Sequence, residues 1–143
     1  MKTRPILNLW LLIAFVCLVV YIIRPFGCLV EQVPGTEEIA AAPLHAYNFW
    51  GLIIPVGLAT LFTVLGGLTR RMESCRAISL LAVMMEIVSI AINAYIVYGG
   101  VTLGQLEWTW APVLLVVALV LTFLAYRGVV SDMRKVRDAD RIR

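Results

Sequence analysis

The chain has 143 residues, of which 62% are hydrophobic and 15% charged, with a mean hydropathy of +0.93. Soluble domains are about half apolar and about a quarter charged. The composition therefore excludes a soluble globular enzyme, a disordered tail and a disulfide-stapled secreted domain, and it indicates a small polytopic membrane protein. The net charge of +3 does not indicate nucleic-acid binding, because the sequence has no basic face interleaved with aromatic residues.

Four apolar segments are long enough to cross a bilayer, which takes about 20 residues of helix. They run over residues 6–23, 48–68, 77–98 and 110–126. Backbone groups in lipid must find partners within their own segment, and these runs lack the alternation of a membrane barrel strand. We therefore predict an all-α membrane protein, with four transmembrane helices in an antiparallel bundle that forms one integral domain, residues 1–143. The first span is longer than the apolar region of a signal peptide, so we expect it to be retained.

The basic residues fall on one side of this four-span arrangement. Of the twelve, only Arg24 lies on the other side. That opposite side carries the acidic residues Glu31, Glu37, Glu38 and Glu107. Because cytoplasmic segments of membrane proteins are enriched in Lys and Arg, the pattern predicts that both termini are cytoplasmic, as in a protein of a bacterial inner membrane.

Two segments outside the spans have features of their own. Residues 24–47 form the longest outer loop, in which Thr36 is a candidate cap for a short helical turn. This turn would continue through the alanines at 40–42 and stop at Pro43. A loop of this length is usually a contact surface or a lid. The tail, residues 128–143, is predicted to be cytoplasmic, either as a helix that extends the last span along anionic headgroups or as a partly disordered segment.

The third span contains Glu86, the one acidic residue in the middle of a membrane segment. Ser79, Glu86 and Asn93 recur every seven residues, and Ser89 follows Glu86 by three, so the four residues form one polar stripe on an apolar helix. An ionised carboxylate at this depth costs at least about 3 kcal/mol. We therefore expect Glu86 to be protonated and to face the bundle interior, a partner or water.

Two interpretations of this stripe are open. In the structural one, Glu86 donates a hydrogen bond to Thr60, Thr63 or another chain, and in the functional one it is a proton or cation relay. The second span adds a helix-packing stripe of small residues at three- and four-residue spacing, along which the third span or a separate subunit can approach closely. This stripe consists of Gly57, Thr60, Thr63 and Gly67.

The remaining polar residues give little support to catalysis. His45 is the single histidine, and no CxxC, GxSxG or HExxH motif occurs. The predicted topology separates Cys17 in the bilayer, Cys28 outside and Cys75 inside. We predict no catalytic residue, no metal site and no cofactor. An enzyme that acts on lipids at the outer face, through His45 and the carboxylates at 37–38, is kept as a third hypothesis.

One local pattern resembles a known family. Arg76, Glu86 ten residues later and then Asn93 are similar to the conserved-glutamate helix of the small K-type antiporter-like subunit of respiratory complex I. The glutamate of that family belongs to a proton path, so the resemblance implies a proton role for Glu86. It covers only residues 76–93. This chain has an extra N-terminal span and lacks the family's second intramembrane glutamate, so we do not assign it to that family.

We expect the protein to be a non-catalytic accessory or structural subunit of a larger membrane complex. It would lie in the lipid bilayer and pack against other membrane subunits or further copies of itself, with no nucleic-acid partner. A chain this short has little internal volume for a substrate pathway of its own, which favours this role. The alternative is a homo-oligomeric transporter or conducting subunit, coupled to protons or cations, that uses Glu86 as its protonation site.

Overall fold

The computed structural model describes residues 5–32, 39–102 and 106–142. This part of the chain contains four α-helices, α1 (Pro5–Ile23), α2 (Trp50–Leu68), α3 (Met72–Thr102) and α4 (Ala111–Ile142). The connections contain three strands and a 3-10 turn, namely β1 (Gly27–Gln32), β2 (Ile39–Leu44), β3 (Leu106–Trp108) and Ala46–Asn48. The protein is therefore predominantly helical, as predicted.

Three of the helices are long and apolar enough to cross a membrane. They are Trp50–Leu68 in α2, Met72–Gly99 in α3 and Ala111–Ile142 in α4. In α1 the described apolar stretch is shorter and covers Asn8–Ile23. These lengths and compositions are those of a membrane protein.

Each helix buries a narrow seam of residues separated by alternating steps of three and four. Such steps average 3.5 residues, close to the 3.6 residues of one helical turn, so the side chains remain on one face. Through these seams α1 and α3 each pack against both α2 and α4. The buried seam residues are Leu11, Ala14, Leu18 and Tyr21 in α1; Leu52, Val56, Ala59, Thr63 and Gly66 in α2; Cys75, Ser79, Ala82, Glu86, Ser89 and Asn93 in α3; and Ala111, Leu115, Ala118, Thr122, Ala125 and Val129 in α4.

The polarity of α3 is reversed relative to a helix of a water-soluble protein. Its seam is small and polar, whereas Leu80, Leu81, Met84, Ile87 and Val88 are exposed. In lipid an outward apolar face has no cost, and helices associate through small side chains and interhelical hydrogen bonds. The arrangement therefore suits a lipid environment.

A small antiparallel sheet lies where α1 ends and where α2 and α4 begin. β1 is central and pairs with β2 from Gly27 opposite Leu44 to Gln32 opposite Ile39, and with β3 from Gly27 opposite Trp108. The expected helical turn through the alanines at 40–42 is wrong, because these residues belong to β2. Pairing with β1 satisfies backbone groups that a single isolated turn would leave open. Residues 36–38 of that turn lie outside the described residues.

Phe26 joins the sheet to the helices. Its backbone N–H donates to the Leu44 carbonyl at 2.9 Å, and its carbonyl accepts the Thr109 N–H at 3.2 Å. The Thr109 hydroxyl donates to the Pro25 carbonyl at 2.7 Å. The Phe26 side chain is fully buried and its ring centre lies 5.9 Å from that of Phe49. Three separate segments of the chain are thereby held together at this end of the helices.

At the other end, α4 continues without interruption to Ile142. Of the two alternatives for the tail, a helix or a partly disordered segment, the structure has the helix over residues 128–142. Val129 on this extension is buried against Cys75 of α3, with Trp10 and Met133 packed around them. The extension is thus held against the rest of the protein in its first turns.

Candidate functional site

Glu86 lies in the middle of the α3 seam with none of its surface exposed. Its Oε1 lies 2.9 Å from the hydroxyl of Thr122, which occupies the corresponding position in the seam of α4. The other carboxyl oxygen, Oε2, is buried and has no hydrogen-bond partner among the described residues. The carboxyl group is therefore enclosed by the protein and held by one polar contact.

The Thr122 hydroxyl has a second neighbour, the Ala118 carbonyl of its own helix, at 2.8 Å. A hydroxyl group has one proton to donate but can also accept. If Glu86 is protonated at Oε1, its O–H donates to Thr122, which donates in turn to Ala118, so both hydroxyl protons have an acceptor while Oε2 stays without a partner. If Glu86 is ionised, Thr122 can donate to the carboxylate or to Ala118, but not to both. The geometry therefore fits the neutral acid best.

Asn93 makes the second interhelical polar contact of α3. Its Nδ2 donates to the phenolic oxygen of Tyr21 at 2.6 Å, and both side chains are buried. Tyr21 belongs to the seam of α1. Asn93 and Glu86 therefore tie α3 to two different helices.

The two serines of the stripe are buried but make local contacts. Ser89 donates to the Met85 carbonyl at 2.7 Å, within its own helix. Ser79 lies 4.0 Å from the sulfur of Cys75, and the Cys75 thiol donates to the Gly66 carbonyl of α2 at 3.4 Å. All four predicted stripe residues thus lie on the buried face of α3. From Cys75 to Asn93 this seam extends about 27 Å along the helix axis.

The residues of the predicted helix-packing stripe of α2 do not all lie on the buried face of their helix, unlike the stripe residues of α3. Thr63 is buried, Thr60 and Gly67 are half-buried, and Gly57 is exposed. A Cβ atom added at Gly57 or Gly67 would meet no other atom within 4 Å. Thr60 and Thr63 donate to the Val56 and Ala59 carbonyls of their own helix, at 2.8 and 2.6 Å. The expected bond from Glu86 to Thr60 or Thr63 is therefore replaced by the contact with Thr122.

Three residues of this region were not singled out from the sequence. Thr122 and Tyr21 are the partners of Glu86 and Asn93, and Gly66 is the glycine of α2 that approaches α3, since an added Cβ there would lie 3.5 Å from Ser79 Oγ. The alternating steps of three and four from Ala111 to Val129 are a signal that points to Thr122. The same steps select Gly66 in α2 and Tyr21 in α1.

The remaining sequence candidates lie apart from this site. His45, near the small sheet, stacks on Tyr47 with ring centres 4.7 Å apart. The cysteines are free, with Cys75 buried and Cys17 and Cys28 half-buried. Within the described ranges, no group of three or more His, Cys, Asp and Glu side chains is placed to hold a metal ion.

The chain matches one family model, DUF4293, a domain of unknown function, over residues 6–142. It therefore belongs to this family. No curated protein and no solved structure matches the chain.

Proposed function

We propose that this member of the DUF4293 family is a four-span protein of a bacterial inner membrane, with its helices in an antiparallel bundle and both termini in the cytoplasm. The 19 residues of α1 measure about 28 Å, which is close to the thickness of the hydrocarbon core. α1 also packs against α2 and α4, which are themselves long enough to span. These observations support a fourth span.

The orientation is supported by charge. All of the Lys and Arg residues except Arg24 lie before α1, in the turn between α2 and α3 or the start of α3, or in the second half of α4 and the residue after it. Reporter fusions at the two ends of the chain test it, since both reporters should indicate the cytoplasm. A C-terminal reporter on the opposite side from an N-terminal one would overturn the four-span arrangement.

We propose further that the protein is a non-catalytic accessory subunit of a larger membrane complex. The observation that carries this proposal is the reversed polarity of α3. In the middle of the apolar spans, Glu86 and Asn93 are directed inward, and each bonds to another helix of the chain. The large surface left for contacts is the lateral apolar one. A protein with this surface associates in the membrane through close helix packing.

Gly57, in the middle of α2, is a position where another helix can approach, because it is exposed and surrounded by open space. The test is purification from the native membrane in mild detergent, followed by native mass measurement. We expect a complex with other membrane proteins. Gly57→Leu should release these partners, whereas Gly51→Leu, the same change at another open glycine of α2, should retain them. A wild-type assembly made only of this chain would overturn the accessory role.

A second candidate function, a homo-oligomeric transporter or conducting subunit coupled to protons or cations, is favoured by the unpartnered Oε2 of Glu86. Intramembrane carboxyl groups frequently mark proton and ion pathways, and the polar seam around Glu86 extends about 27 Å, nearly the depth of the hydrocarbon core.

Glu86→Gln separates the two candidates, because glutamine keeps the size and the polar contact but not the titratable proton. The transporter role requires that this variant assemble normally and lose proton or cation flux in reconstituted vesicles. If wild-type vesicles show no flux above empty vesicles, the transporter role is excluded. Thr60→Val is the matched control, since Thr60 bonds only within its own helix.

A further inference from the structure

A basic cleft lies where α2 turns into α3 and where α4 extends beyond the bundle. Its volume is about 650 Å³. Three arginines line it, Arg71 from the turn and Arg137 and Arg141 from α4. All three side chains are exposed. The cleft therefore gathers positive charge from two parts of the chain that are far apart in sequence.

The floor of the cleft is apolar. Met72, Met133 and Val136 line it and are half-buried. Two carboxylates, Glu73 and Asp140, also line the cleft, so the net charge remains positive with three guanidinium groups against two acids. A ligand that suits this cleft carries a single negative charge beside an apolar portion.

The depth of the cleft is that of lipid headgroups. Met72 lies about 21 Å along the axis of α3 from Glu86. With Glu86 near the bilayer centre, the hydrocarbon core ends about 15 Å away and the headgroup layer about 20 to 22 Å away. On α4, Thr122 contacts Glu86 and Arg137 follows it by 15 residues, about 22 Å along the axis, so Arg71 and Arg137 lie at the boundary between headgroups and water.

We propose that this cleft binds a phosphate group at the cytoplasmic membrane surface, and that its apolar floor selects the phosphodiester of an anionic phospholipid. Guanidinium groups bind phosphate oxygens through two parallel hydrogen bonds, and basic pockets between membrane helices hold anionic headgroups. The glycerol and the first acyl carbons of the lipid then lie on Met72, Met133 and Val136. The proposal rests on the membrane orientation given above, but not on the accessory or transport role.

The test uses the full chain in a neutral detergent and measures bound lipid by native mass spectrometry. Phosphatidylglycerol is the anionic probe, phosphatidylcholine the zwitterionic one, and inorganic phosphate the competitor. The variant Arg71→Gln with Arg137→Gln removes two charges from the cleft. The matched control, Arg134→Gln with Lys135→Gln, removes two charges from adjacent positions of α4, outside the cleft.

A basic residue in contact with the anionic headgroup contributes about 1 kcal/mol, which is about fivefold in affinity. We expect the cleft variant to bind phosphatidylglycerol at least about tenfold more weakly and the control variant to change by less than about threefold. Because the four residues are exposed, circular dichroism should show unchanged helix content in both variants.

The competitor identifies the source of the phosphate. Retention of phosphatidylglycerol in millimolar inorganic phosphate supports the lipid, whereas its displacement assigns the cleft to free phosphate. Equal losses in the cleft and control variants would overturn the proposal, as would equal binding of phosphatidylcholine and phosphatidylglycerol by the wild type. Because the measurement is made on the isolated chain, its failure is independent of any failure to find a native complex.

Discussion

α2 and α3 pack side by side, and each carries four small or polar residues at short spacing, yet the two sets have different surroundings. On α3 the four residues are buried, and two of them bond to neighbouring helices. On α2 only Thr63 is buried, and Gly57 lies on the exposed side of the helix. The difference shows that burial depends on the order in which three- and four-residue spacings follow one another along a helix, as well as on the spacings themselves.

The geometry of an α-helix explains this difference. Each residue turns the helix by about 100°, so a step of three falls short of a full turn by about 60° and a step of four exceeds it by about 40°. On α3 the two kinds of step alternate and nearly cancel. From Gly57 through Thr60 to Thr63 two steps of three follow one another, so Thr63 points about 120° away from Gly57. The buried small residue is therefore Gly66, which continues the alternation from Thr63.

The largest effect is expected from filling the contact between α2 and α3. Gly66→Leu should lower the free energy of unfolding by about 2 to 3 kcal/mol, because atoms beyond a Cβ already 3.5 Å from Ser79 Oγ would overlap the neighbouring helix. Gly57→Leu should change it by less than about 1 kcal/mol, since its surroundings are open. Denaturation in mixed micelles with increasing dodecyl sulfate measures both. Equal losses would show that the two glycines have the same surroundings.

The next effect concerns the partner of Glu86. Thr122→Val keeps the shape of the side chain and removes its hydroxyl, so the carboxyl loses its one partner, and stability should fall by about 2 kcal/mol. Thr60→Val, on α2, removes a hydroxyl that bonds only to its own helix and should cost under about 0.5 kcal/mol. The same denaturation measurement applies. In the Glu86→Leu background the penalty of Thr122→Val should largely disappear, and a persistent penalty would contradict the pairing.

Local patterns predict much of this protein, and non-local pairing supplies the rest. The apolar runs and the seven-residue recurrence of Ser79, Glu86 and Asn93 are properties of a single segment, so the helices and the shared face of the polar residues follow from the sequence. The partners Thr122 and Tyr21 depend on how two helices align with α3, which no single segment specifies.

The small sheet was missed for a related reason. Alanine and proline have low strand propensity, and β2 contains Pro43 and three alanines. Its pairing with β1 provides the hydrogen bonds that its own composition does not indicate. The cleft is likewise not predictable from one segment. Arg71 and Arg137 line it together because α4 packs beside the turn before α3.

A smaller effect is expected at the second interhelical contact of α3. Tyr21→Phe removes the oxygen that accepts from Asn93 and should lower stability by about 1 kcal/mol, the usual magnitude for hydrogen bonds between membrane helices. Tyr95→Phe is the control, because Tyr95 is 81% exposed. A double-mutant cycle with Asn93→Leu should give a coupling energy of about 0.6 kcal/mol or more. A coupling near zero would show that the two side chains do not interact.

The smallest effect on stability is expected from a substitution on the exposed side of α2, away from its buried seam. Gly57→Ala adds a methyl group where no atom lies within 4 Å and improves helix propensity, so the isolated chain should gain about 0.5 kcal/mol. Gly51→Ala, near the start of the same helix and equally open, should behave in the same way. If Gly57→Ala instead destabilises the purified protein while Gly51→Ala does not, Gly57 must already lie in a contact. Since no other helix among the described residues comes within 4 Å of a Cβ at this glycine, that contact would come from a second copy of the chain. Association through α2 would then be homomeric, and the accessory role proposed above would give way to the oligomeric one.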